Sequence, residues 1–139
     1  MEKRLDYKKK QLEKAVHNFN VSLAIETKGM SHEVADTIKS GQVQKFEVVV
    51  DLMWKTLKIY LYELNGIVVN SPKMAVKEFF KVDDLSYKNY EWLIKMIDMR
   101  NQLSHIYDSE KFEQIHTQVK EASKIINQII VKLNKDEIT

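Results

Sequence analysis

The sequence predicts an all-α fold, an up-down four-helix bundle with one or two short extra helices. Three observations carry this. Only three glycines and one proline occur in 139 residues, far fewer than the turns of a sandwich or barrel require. Apolar residues recur at steps of three and four along most of the chain, the period of an amphipathic helix. Four long stretches of this kind are separated by short breaks, and long helices with short links pack most simply as a bundle. Hydrophobic residues make up 44% and charged residues 30%, a globular balance rather than that of a disordered tail. No repeat, linker or low-complexity stretch marks a second unit, so residues 1–139 are read as a single domain.

The first helix spans about Glu2 to Glu26, with Leu5, Leu12, Val16, Phe19 and Leu23 on one face and Lys8, Lys9, Lys10, Glu13 and Lys14 assigned to the other. That lysine cluster suits RNA or anionic lipid, but a solvated face is the preferred reading. Gly29 ends the pattern and Ser31 suits an N-cap. A short helix from Ser31 to Lys39 is expected next, then a long one from Gln42 to Asn65. The second presents Val43, Phe46, Val50, Met53, Trp54, Leu57, Tyr60, Leu61 and Leu64, and its helical period overrides the strand propensity of the valines at 48–50. Asn65-Gly66 closes it, and Ser71-Pro72 reads as N-cap and first turn of a short helix to Phe80. A further helix, Ser86 to Leu103, carries Tyr90, Leu93, Ile94, Ile97 and Leu103. The last, Glu110 to Asn134, carries Phe112, Ile115, Val119, Ala122, Ile126, Ile129 and Leu133.

Several classes are set aside. The chain has no cysteine, so disulfide frameworks and thiolate chemistry are excluded. The N-terminal charges are not followed by the apolar run of a signal peptide, and no window reaches the ~18 apolar residues of a membrane span. A cytoplasmic protein without a membrane partner is the expectation. The 22 basic and 20 acidic residues balance too closely to argue for or against nucleic acid. A di-iron bundle needs two Glu-x-x-His motifs, whereas only Glu113 to His116 fits. These two, with His17 and His32, are read as solvated polar residues, and neither a metal nor another cofactor is expected. Three glycines cannot supply a phosphate-binding loop, and no serine sits in a nucleophile turn with a plausible triad.

The segment Asp98-Met99-Arg100-Asn101-Gln102-Leu103-Ser104-His105-Ile106-Tyr107 is different. On a helix Asn101 and His105 share a face, while Arg100 and His105 diverge by roughly 140°. One site using both requires that the helix loosen before His105 or that Arg100 reach around. The set suits phosphodiester cleavage: a guanidinium grips phosphate and stabilises developing charge, and a histidine moves the proton of a ribose hydroxyl. The bland alternative is a helix end whose cations favour the negative pole of the dipole, and composition alone prefers it.

The spacing Arg100-Asn101-(three residues)-His105 resembles the Arg-polar-x-x-x-His motif of HEPN domains, and Tyr107 extends it to the form found in HepT-like toxins. Gln44-Lys45-Phe46-Glu47 with Asp51 and Trp54-Lys55-Thr56-Leu57-Lys58 is similar to the second-helix signature of proteins long labelled nucleotidyltransferase substrate-binding subunits. Ser71-Pro72-Lys73 and Trp92 fit the same group, and the resemblance covers about residues 40 to 120. It implies a metal-independent ribonuclease acting as a homodimer, two motif helices facing each other across a cleft. Arg100 would bind or stabilise the scissile phosphate, His105 would act as general base or acid, and Asn101 would hold the phosphate or orient the histidine. A cognate nucleotidyltransferase antitoxin would silence the enzyme by transferring AMP to Tyr107, whose added bulk and charge would keep RNA from the cleft.

The leading expectation is therefore a HepT-like ribonuclease toxin with an RNA substrate. The alternative is a non-catalytic substrate-binding or scaffold subunit of a separately encoded nucleotidyltransferase. Glu47, Asp51 and Lys55, beside Trp54, form a charged stripe that either lines a cleft near the motif or is a surface stripe in which Asp51 pairs with Lys55. The stretch from Ser86 to Tyr107 carries Lys88, Lys95 and Arg100 against Glu91 and Asp98, less positive than an RNA-binding face usually is.

Overall fold

The structure, a computed structural model, describes residues 2–105 and 109–135. Five helices follow one another: α1 Glu2–Leu23, α2 His32–Asn65, α3 Pro72–Val82, α4 Tyr87–Leu103 and α5 Ser109–Asn134. The fold is all-α. Each helix packs on the next, and α5 closes the bundle against α1 and α2. No helix among the described residues is long and apolar enough to cross a membrane.

Serines start three of the helices. The hydroxyls of Ser31, Ser71 and Ser86 accept from the backbone N–H groups of Val34, Met74 and Asn89 at 3.3, 3.3 and 3.1 Å, satisfying donors that the first helical turn leaves open. Pro72 follows Ser71 at the first helical position, where its missing N–H costs nothing. At the end of α2 Gly66 takes a left-handed φ of 66°. Its N–H donates to Tyr62 O at 3.0 Å while that of Ile67 donates to Leu61 O at 3.1 Å, the paired closure that glycine permits without a Cβ clash.

The short helix and the long helix expected on either side of Gly41 are one continuous α2 of 34 residues, about 51 Å long. A single interior glycine costs a helix only about 1 kcal/mol, and Gln42, Val43 and Phe46, all buried, bind the stretch that follows to the bundle. The core joins the expected stripes: Leu12, Phe19, Phe46, Leu57, Leu93, Val119 and Ile126 are all buried. Phe19 and Phe46 lie with ring centroids 6.1 Å apart, and Tyr60 meets Phe79 edge-on at 5.8 Å. Of the three valines, Val49 and Val50 are buried and Val48 faces outward.

Two residues lie on the opposite side from the one expected. Lys9, placed on the solvated face, is only 5% exposed. It stands four residues after Leu5 and three before Leu12, hence on the inward stripe, and its ammonium lies 6.0 Å from the centre of the Tyr60 ring; its stem covers apolar surface as long cationic side chains do. Leu64, placed on the apolar face of α2, is exposed, because it falls in the last turn beyond the packed part of the helix.

Candidate functional site

Arg100 lies in the last turn of α4, on the side that faces α2. Its Nε and Nη2 donate to the two carboxylate oxygens of Asp51, each at 3.2 Å, and Nη1 donates to Ser104 Oγ at 3.3 Å. Glu47, one turn before Asp51, brings Oε2 to 3.3 Å from Nη1. The planar fork of arginine suits this two-point grip. The hydrogen bond to Asp51 is the main reason the Arg100 pKa is raised; burial works against it, and the charges of Asp51 and Glu47 add to it. Asp51 thus pairs across the bundle with Arg100, not along its own helix with Lys55 as one reading of the stripe supposed. Trp54 is half-buried, with the Lys58 ammonium 5.9 Å from its ring centre.

Asn101 and His105 are exposed and line another surface. With Asp98, Gln102 and Lys111 they bound an open cleft of about 440 Å³ at the end of α4. The helix stops at Leu103, and the N–H of His105 donates to Gln102 O at 2.9 Å in the turn beyond. The helix ends before His105, which is the first of the two conditions for uniting it with Arg100, yet the two residues line different surfaces. Arg100 does not reach around; it turns to α2 and is not part of the cleft lining. Asp98 is neutralised by Lys73 of α3, Nζ to Oδ1 at 2.7 Å. Tyr107 lies outside the described residues.

Lys111, in the first turn of α5, was not singled out from the sequence. It is one lysine among many, and only the packing of α5 beside the end of α4 brings it into the same cleft as His105. The partnership of Glu47 and Asp51 with Arg100 was more accessible: two acids one turn apart on a long helix, and one of only two arginines in the chain.

Glu113 is exposed as expected, but His116 is not the solvated residue expected. Glu113 bridges to Lys39 at 3.5 Å, and the half-buried His116 places Nε2 2.7 Å from Gln42 Oε1. Gln42 is buried, and its amide N–H donates to Ser22 O at 2.8 Å. Its oxygen therefore faces His116, whose Nε2–H is the donor. Burial lowers the His116 pKa, aided by Lys39 and Lys120 and opposed by Glu113. No group of three or more potential metal ligands occurs among the described residues.

Residues 7–135 match the family described as nucleotidyltransferase substrate binding protein like. A crystal structure of a protein from Thermus thermophilus superposes with a TM-score of 0.77 at 22% identity, covering 88% of this chain and 98% of that one; at that identity the likeness shows the fold. A comparison with curated proteins returns no match.

Proposed function

This chain belongs to the nucleotidyltransferase substrate-binding protein-like family, and from that membership and the end of α4 we propose that it is a HepT-like, metal-independent ribonuclease paired with a nucleotidyltransferase antitoxin. The observation that supports the reading is the exposed cleft in which Asn101 and His105 stand together, one turn from an Arg100 held by Asp51. In this reading His105 takes the proton of a ribose 2′-hydroxyl, the freed oxygen attacks phosphorus, and the bond to the 5′ oxygen breaks. The products are a cyclic phosphate and a 5′-hydroxyl that receives a proton. The 2′-oxygen supplies the nucleophile and the imidazole moves the proton, so the step calls for no metal. Asn101 holds a phosphate oxygen or orients the imidazole. Arg100 stabilises charge on the phosphate through Nη1, once a phosphate oxygen replaces Ser104 and Glu47 there. The working form is a homodimer with two motif helices across one cleft, and the partner enzyme transfers AMP to the Tyr107 hydroxyl to silence it.

One observation favours a second reading. The carboxylates of Asp51 and Glu47 surround Arg100, which suits a structural brace in a non-catalytic subunit that binds or scaffolds for its nucleotidyltransferase. Induced expression in cells without the partner separates the two. The enzyme reading expects growth arrest that Arg100→Ala and His105→Ala each abolish while partner binding persists. Growth arrest undiminished by either substitution contradicts it.

A further inference from the structure

Two carboxylates lie within 3.3 Å of the Arg100 guanidinium. One positive charge against two negative ones leaves that side of the site with a formal charge of −1, so it supplies no long-range attraction for phosphate. The cleft beside it is different. Its acid, Asp98, is already paired with Lys73 at 2.7 Å, and its two amides, Asn101 and Gln102, are neutral. The remaining charge in the lining is the Lys111 ammonium, which no ion pair engages among the described residues. His105 adds a second positive charge only when protonated.

We propose that Lys111 is the phosphate-gripping residue of this cleft, holding the backbone of a single-stranded RNA against Asn101 and His105. The proposal rests on the ribonuclease reading for the identity of the substrate. A lysine at the mouth of α5 is well suited to this role, because its ammonium is a mobile point charge that follows a flexible backbone, whereas Arg100, pinned by Asp51, cannot. Division of labour follows, with Lys111 supplying attraction and Arg100 a guanidinium held in one direction by Asp51.

The test measures binding apart from cleavage. A labelled single-stranded RNA carrying 2′-O-methyl groups cannot be cut through its ribose, and its affinity for the full chain is read by fluorescence anisotropy across a salt series. Lys111→Ala is expected to weaken binding about ten-fold and to lower the salt slope by about 0.7, the contribution of one phosphate on a single strand. Lys111→Arg should retain both, and Lys124→Ala, further along α5 and paired with Glu121 at 3.4 Å, should change neither. Unchanged affinity and slope in Lys111→Ala, or no binding by the wild-type chain, overturns the proposal. Cleavage of unmodified RNA, followed in parallel, tells the two claims apart. Lys111-dependent binding without cleavage sinks the ribonuclease and keeps the anion cleft; cleavage with binding indifferent to Lys111 does the reverse.

Discussion

Arg100 and Asp51, 49 residues apart in the chain, meet through two hydrogen bonds of 3.2 Å each that tie the end of α4 to the middle of α2. The contact does more for orientation than for stability. The Asp51 side chain is 43% exposed, and ion pairs so open to water contribute about 0–1 kcal/mol. What the pair fixes is direction: with Nε and Nη2 occupied, the guanidinium holds one orientation against α2.

Arg100→Lys keeps the charge and loses the fork. RNA cleavage is expected to fall at least about ten-fold, the effect of roughly 1.4 kcal/mol in the barrier, while thermal denaturation shifts by only a few degrees. A lysine variant with wild-type kcat would show that direction at this position does not matter.

Gln42 holds the chain from Ser22 to His116 together. Gln42→Ala leaves the Ser22 carbonyl and the His116 N–H without their partner, and an orphaned buried polar group costs about 1–3 kcal/mol. Urea denaturation should show a loss of that size with the m-value unchanged. A loss below a few tenths of a kcal/mol would mean that water replaces the amide freely.

His116 makes stability depend on pH. Its folded-state pKa lies below the ordinary value near ~6.5, so between the two values the unfolded chain binds the extra proton. Stability therefore rises with pH across that window and falls as pH drops from ~6.5 toward the folded value. His116→Gln is expected to lose this slope, which paired urea titrations at neutral and mildly acidic pH would reveal. The same slope in the variant would assign it to other groups.

Gly41 lies inside α2, and a Cβ built there meets nothing within 4 Å. Gly41→Ala should stabilise the protein by about 0.5–1 kcal/mol, because alanine loses less backbone freedom in a helix. A drop in melting temperature would show that α2 needs the flexibility the sequence suggests at this point.

The bundle was readable because helical periodicity repeats over many residues, and each apolar stripe from Leu5 to Leu133 reports the same core. Single positions were harder. Gly41 suggested a break because a local breaker is visible in sequence while the packing that overrides it is not. Lys9 was misplaced because its charge outweighed its register, although register decides which way a helical side chain points. At the site, the angle between Arg100 and His105 follows from helix geometry alone, and the two line different surfaces even though the helix ends at Leu103. Where Arg100 goes depends on α2, and the nearness of Lys111 to His105 depends on how α5 packs beside α4, so neither is fixed by local spacing.

The central claim is that His105 cuts RNA, and the most direct measurement is cleavage by the purified chain in EDTA beside His105→Ala, with product ends analysed and intact mass confirming an unmodified Tyr107. The account predicts products ending in cyclic phosphate that disappear with the substitution. Equal cleavage by both proteins, or none by the wild-type chain across structured and single-stranded RNAs, would contradict it.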